Sequence, residues 1–366
     1  MSQESGVRSQ ESGVRSQESG VRSQESGVRV YYFDYLRVLG AFAVIILHVN
    51  SKYWYLLDIN SFDWQVINFY HGAVTRWAVP VYVMMSGALF LGRDVPLRRL
   101  YGKNILGIFT AFIFWSLIYS IAIYFKSGSA EEALTHFVNG HYHLWFLHMI
   151  IGLYMIVPFM KKVAESKFLT KYFLVLSLIF VFIIPSMIYL NKIFASEIWS
   201  FTNSFVNKFS PALISGYTGY FLIGYILNNI DISPKLTRFI YLGGIIGFMG
   251  AIFISEYLSI ITNKPNQFFN MPLTITALLE STAIFLFCKK NFNRPYKFIR
   301  TLSKYTFGAY LVHPAVIFVI RKLGLDFSMT NTIIFVPVTA IFVFIISLII
   351  SGILNHIPVL NKYIVS

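Results

Sequence analysis

From Val30 to the C-terminus the chain alternates ten long apolar runs with short polar stretches. A run of about 20 apolar residues is what an α-helix needs to cross the hydrocarbon core of a bilayer. The pattern predicts spans at 33–50, 75–91, 104–124, 144–160, 172–190, 211–229, 239–258, 271–288, 304–321 and 331–354. The weakest are the second and fourth, which carry Pro80 and Pro158, and the eighth, which holds Glu280. Composition agrees: of 366 residues, 56% are apolar and 13% charged, against about 45–50% and about 25% in soluble domains. No polar stretch is long enough for a soluble catalytic domain. The expected fold is an all-α polytopic membrane protein of about ten transmembrane helices, with any chemistry inside or at the membrane.

Residues 2–29 are four copies of SQESGVR. A period of seven suggests a coiled coil, but each copy offers one apolar residue, so no hydrophobic seam exists. Residues 1–30 are therefore expected to be a disordered, neutral tail without the apolar core of a signal peptide. Residues 31–366 form the membrane domain. The net charge of +14 would suggest nucleic acid in a soluble protein, but its distribution gives another reason. With both termini cytoplasmic, eight basic residues fall in outer segments, namely Lys52, Arg76, Lys126, Lys192, Lys208, Lys264, Arg321 and Lys322, and the other 22 in inner ones. Basic residues gather on the cytoplasmic side of membrane proteins, so the charge encodes orientation, and no nucleic-acid partner is expected. The single cysteine, Cys288, lies in an apolar run and excludes a disulfide framework.

An ionisable group within a span costs several kcal/mol unless paired or hydrated, which makes each one a functional candidate. In the first span, Asp34, Arg37 and His48 stand out. Arg37 and His48 are eleven residues apart, three helical turns plus about 20°, so they share a face roughly 16 Å apart along the axis. Arg37 also suits a snorkelling anchor at the inner surface. Histidine is the side chain best matched to proton transfer near neutral pH.

Arg93, Arg98, Arg99 and Lys103 crowd the loop after the second span. Guanidinium forks suit phosphates, so this loop is a candidate for holding a coenzyme's phosphates; the orientation bias and anionic lipid explain it equally. His141, His143 and His148 lie near Trp145 at the outer end of the fourth span. Their spacing matches no standard zinc pattern, so no metal is expected. An interfacial aromatic belt is one explanation; His143 and Trp145 as acceptor-binding residues is the other. In the ninth span, TFGAYLVHP places His313 at mid-depth. There Pro314 frees the carbonyl of Tyr310 for a tyrosine or water, and Tyr310 and His313 join the candidate substrate-binding residues. Glu280 is expected to be a buried, hydrogen-bonded acid.

These residues together resemble the acyltransferase-3 family. DYLRVLGAFAVIILH, VPVYVMMSGALFL followed by a basic loop, HLWFL with GLYMIVP, GYFLIGY and TFGAYLVHP occur in the family's order, from Tyr31 to the C-terminus. The chain is similar in detail to enterobacterial-common-antigen-type and other surface-polysaccharide O-acetyltransferases. The resemblance implies a multi-pass enzyme of the bacterial cytoplasmic membrane. It would transfer an acyl group, usually acetyl, from acetyl-CoA to a hydroxyl of a lipid-linked or exported glycan, with no permanently bound cofactor. Other surface-polysaccharide biosynthesis proteins are possible partners. The family's histidine and arginine of the first span match His48 and Arg37, and its basic motif matches the Arg98 to Lys103 region, although Lys103 stands where an arginine is usual.

On this reading the coenzyme's phosphates bind Arg98, Arg99 and Arg37, and His48 is the general base for the acceptor hydroxyl. Ser86 is a weaker nucleophile candidate because no base is placed beside it by sequence. A glycan transporter or flippase is the rival reading, since the same polar residues would line a path; internal repeats that often mark transporters are not evident between the two halves.

Overall fold

The computed structural model describes residues 30–194, 216–324 and 331–360, and every regular element among them is a helix. The heptad copies and the first residues of the predicted sixth span, 211–215, lie outside the described residues. The principal helices are α1 (Tyr32–Leu56), α2 (Ala78–Phe90), α3 (Leu106–Ser127), α4 (Trp145–Met155), α5 (Val157–Glu165), α6 (Lys167–Ser177), α7 (Ile184–Phe194), α8 (Thr218–Asn229), α9 (Pro234–Thr262), α10 (Ile275–Asn291), α11 (Thr306–Lys322) and α12 (Thr332–Asn355). Among the described residues, seven helical segments are long and apolar enough to cross a membrane: 32–56, 62–90, 97–127, 167–194, 234–262, 268–291 and 332–355. The pair α4 and α5 makes an eighth if counted as one bent span. Helices also occupy the predicted sixth and ninth positions, α8 with 12 described residues and α11 with 17.

The fourth span differs from its expectation as one straight helix over 144–160. It breaks at Ile156 into α4 and α5, which meet at 57°. Pro158 sits in the first turn of α5, where it has no N–H to return to the carbonyl four residues back. The second span also begins earlier than 75. A short helix, Phe62–Asn68, starts with the Ser61 hydroxyl accepting from the Trp64 amide, and a π-turn, Phe69–Ala73, carries it toward α2. Asn68 and His71 hid this extension in the sequence because they are polar, yet both are buried.

Helix α1 is central, packing on α2, α10, α11 and α12. At 25 residues it is about 38 Å long, enough to cross a hydrocarbon core of about 30 Å. Its buried side chains divide between two hydrophobic clusters: Tyr32 to Val44 pack with Phe90, Leu91 and Leu100, and Ile45 to Trp54 pack with Leu144, Val312 and Phe335. The crossing of α2 and α8 depends on two glycines. A Cβ on Gly87 would overlap the Phe221 carbonyl, and one on Gly224 would overlap the Met84 carbonyl. Small residues at such a crossing let two backbones touch, which replaces the hydrophobic driving force that lipid does not supply.

Contacts between loops sort by end. At the Tyr32 end, the Tyr32 hydroxyl donates to Asn228, Tyr35 stacks on Phe292, and Lys161 pairs with Asp94. The Lys161 hydrogen bond and charge hold the exposed Asp94 carboxyl below the usual carboxylate range. At the Leu56 end, Trp54 packs on Trp64, Thr332 bonds Asp63, and Tyr70 donates to the Ile333 carbonyl.

Candidate active site

A cavity of about 310 Å³ runs beside α1 between α2, α4 and α11. Arg37 and His48 both line it, together with Tyr82, Ser86, His143, Trp145, Tyr154, Thr306 and Tyr310. The shared helical face of Arg37 and His48 thus becomes one wall of a single chamber. Its volume sits at the lower end of the range of ligand pockets, about 300–1,000 Å³.

At one end stands an imidazole pair. His48 Nδ1 lies 2.7 Å from His313 Nε2, and the two rings stack at 4.9 Å. His313 is fully buried, and its Nδ1 lies 2.6 Å from the Tyr310 carbonyl. A carbonyl can only accept, so His313 Nδ1 carries the hydrogen; with both rings neutral, its Nε2 accepts from His48 Nδ1–H. The remaining nitrogen of His48, Nε2, therefore holds a lone pair. The carbonyl that Pro314 frees is served by the histidine beside it. This corrects the expectation of a tyrosine or water: the imidazole folds back over one turn to reach it. A tyrosine does act one residue further on, where Tyr119 donates to the Leu311 carbonyl at 2.8 Å. His143 joins this end: the Tyr310 hydroxyl donates to its carbonyl, and its ring stands against His313 at 5.4 Å.

At the other end, Arg37 Nη1 lies 3.2 Å from Asp34 Oδ1, and the same oxygen accepts from the Ser303 hydroxyl at 2.8 Å. Asp34 is 3% exposed and does not line the cavity. It sits behind Arg37 and fixes the guanidinium of a side chain that is about one-third exposed. The Tyr82 hydroxyl donates to the Arg37 carbonyl at 2.8 Å and so ties α2 to α1 at the same level.

Five predicted site residues meet in this chamber: Arg37, His48, His143, Trp145 and Tyr310. His313 adjoins it through His48, and Asp34 through Arg37. Trp145 is at the rim, 42% exposed. Arg93, Arg98, Arg99 and Lys103 do not line the cavity; all four are exposed. They belong to the Arg37 end, where Leu100 of the same segment packs in the cluster with Phe33 and Leu36. His148 packs against Phe112 at 4.1 Å, away from the cavity. Ser86 is a wall residue whose hydroxyl lies 3.3 Å from that of Tyr154. Glu280 is 4% exposed as expected, but its Oε2 has no hydrogen-bond partner among the described residues.

The sequence reading missed the polar residues around the His48 end. Arg76 Nε donates to the His71 carbonyl at 2.9 Å, and its Nη2 pairs with His71 Nε2. His71 Nδ1 lies 3.0 Å from Asn50 Oδ1. Arg321 Nη2 donates to the carbonyl of Val49, the residue after His48. The available signal was residue type: of the eight basic residues assigned to outer segments, Arg76 and Arg321 are the two arginines.

A family model described as an acyltransferase domain matches residues 30–353. No curated protein and no solved structure matches the chain.

Proposed function

The chain belongs to the acyltransferase-3 family, and from that premise we propose that it moves an acyl group, acetyl in the first instance, from acyl-CoA to a hydroxyl of a cell-surface or lipid-linked polysaccharide. The observation that carries this is the His48–His313–Tyr310 chain, which presents a neutral imidazole with a basic nitrogen at the wall of a chamber that also holds Arg37. A general base must be a neutral imidazole held in one tautomer within reach of the hydroxyl it deprotonates.

In the proposed reaction, His48 Nε2 takes the proton of the acceptor hydroxyl as its oxygen forms a bond to the thioester carbonyl carbon. The carbon–sulfur bond then breaks, and the leaving coenzyme thiolate takes the proton from His48. Transient imidazolium is supported by the His313 Nε2 lone pair that accepts from Nδ1–H. Arg37, held by Asp34, supplies positive charge toward the Tyr32 end, from which the thioester enters.

A chamber of about 310 Å³ suits the reacting end of a thioester with a hydroxyl rather than a whole nucleotide. The nucleotide part accordingly stays outside, against Arg98, Arg99 and Lys103, with Arg93 beside them. His143 and Trp145 face the acceptor, and Tyr310 holds the His143 backbone. The setting is the cytoplasmic membrane of a bacterium, with both termini inside, among other enzymes of surface-polysaccharide synthesis.

Purified protein in nanodiscs, given radiolabelled acetyl-CoA and candidate lipid-linked glycans, tests the reading. Label should pass to the glycan, and the His48→Ala protein should not pass it. Undiminished transfer by that variant, or glycan movement across vesicles without label, overturns it.

A further inference from the structure

We propose that Ser86 and Tyr154 form a subsite for the arm of the acyl donor, binding the pantetheine amide nearer the nucleotide while the thioester lies at His48. The identity of this ligand rests on the acyltransferase reading.

Five side-chain hydroxyls line the chamber, those of Tyr82, Ser86, Tyr154, Thr306 and Tyr310. Three of them are spent on the backbone: Tyr82 donates to the Arg37 carbonyl, Thr306 to that of Ser303, and Tyr310 to that of His143. Among the described residues, Ser86 and Tyr154 have only each other, with 3.3 Å between their oxygens. Two hydroxyls that share one hydrogen bond keep one O–H to donate and lone pairs to accept. Their helices present mostly apolar side chains to the chamber, such as Met85 and Leu89 of α2 and Leu147 and Ile150 of α4. An amide that enters such a wall gives up its water, which is costly unless hydrogen bonds replace it. An amide brings one carbonyl acceptor and one N–H donor, and the Ser86–Tyr154 pair has a spare O–H and lone pairs to meet both.

The place of the pair along the chamber selects which amide it meets. Ser86 lies one helical turn beyond Tyr82 in the direction of Phe90, whose ring packs on Tyr154 at 4.5 Å and belongs to the cluster of Tyr32 and Phe33. Because the Tyr82 hydroxyl reaches the Arg37 carbonyl, the pair stands on the Tyr32 side, at the level of Arg37 or beyond. His48 is roughly 16 Å from Arg37 along α1. With the nucleotide outside at the Tyr32 end, the thin arm alone connects the mouth to His48. Of its two amides, one follows two carbons after the thioester sulfur and stays near His48. The other lies closer to the nucleotide, and that one falls to Ser86 and Tyr154.

The test compares two acetyl donors on the full chain in nanodiscs. S-acetylpantetheine has both amides, and S-acetyl-N-acetylcysteamine has only the one nearer the sulfur. Wild type should use S-acetylpantetheine about five-fold better or more in kcat/KM. Removing both hydroxyls together leaves neither one without its partner, so the double variant Ser86→Ala, Tyr154→Phe should fold. It should lose roughly five- to ten-fold in kcat/KM with S-acetylpantetheine, mainly through KM, and less than about two-fold with the shorter donor. Equal use of the two donors by wild type overturns the proposal whether or not the variant folds. An equal loss with both donors makes the pair a packing contact and overturns it too, as does no loss with either. If no label reaches any glycan, binding of S-acetylpantetheine decides. Weaker binding by the double variant then keeps the subsite and sinks the acyltransferase reading, and equal binding removes both. Transfer from both donors at wild-type rates by the double variant sinks the subsite alone.

Discussion

The two ends of α1 hold their neighbouring cations differently. At the Tyr32 end, Arg37 is paired with a buried carboxylate, Asp34, which Ser303 holds in turn. At the Leu56 end, among the described residues, Arg76 and Arg321 bond carbonyls and a neutral histidine, while His48 leans on His313. A carboxylate beside His48 would hold the imidazole protonated and leave no lone pair for a base; a carboxylate beside Arg37 cancels part of its charge and fixes its direction. One end is therefore built to position a cation, the other to hold a base in one tautomer.

Five variants probe that contrast, each followed by label transfer from acetyl-CoA in reconstituted membranes. His48→Ala should cost the most, on the order of 10²–10⁴-fold in kcat, as loss of a general base does. His313→Ala should come next, at about 10–100-fold in kcat with KM for acetyl-CoA unchanged, because it removes the acceptor that orients His48. His313→Gln, whose amide oxygen can accept the same bond, should recover part of the loss; failure of any recovery would make His313 a packing residue. Asp34→Asn should lower kcat/KM about ten-fold by loosening Arg37. A loss as large as that of His48→Ala would put Asp34 in the proton path and erase the difference between the ends. Arg98→Gln with Arg99→Gln should give the smallest effect, a rise of about three- to ten-fold in KM for acetyl-CoA with kcat intact, since exposed charged contacts are individually weak. An unchanged KM would remove the nucleotide from this loop.

Much of the fold was legible in hydropathy, because a bilayer demands long apolar helices and little else can supply them. Described helices overlap each of the ten predicted spans, seven of them long and apolar enough to cross a membrane, or eight with the bent α4–α5 pair, and their ends moved where polar residues are buried or a proline intervenes. Asn68 and His71 concealed the extension before α2, since their hydrogen bonds come from residues distant in sequence. The break at Ile156 followed from Pro158, which the sequence displayed, but its angle depends on what α4 and α5 pack against.

The site was legible along one helix and obscure across helices. Helical periodicity alone put Arg37 and His48 on one face, because 3.6 residues per turn is a local rule. It could not bring His313 to His48 across a separation of 265 residues, give the Tyr310 carbonyl to His313, or bring Arg321 to the Val49 carbonyl.

What the sequence by itself determined is the membrane class and the identity of the ionisable residues within the spans. Only the tertiary structure decided which of those residues share a chamber, which tautomer His48 holds, and which arginines have a carboxylate partner. The physical reason is that burial in lipid is a property of composition that each segment carries alone. A hydrogen bond between two spans is instead fixed by how their surfaces cross, and crossings depend on particular residues of both helices, as Gly87 and Gly224 show where α2 and α8 touch.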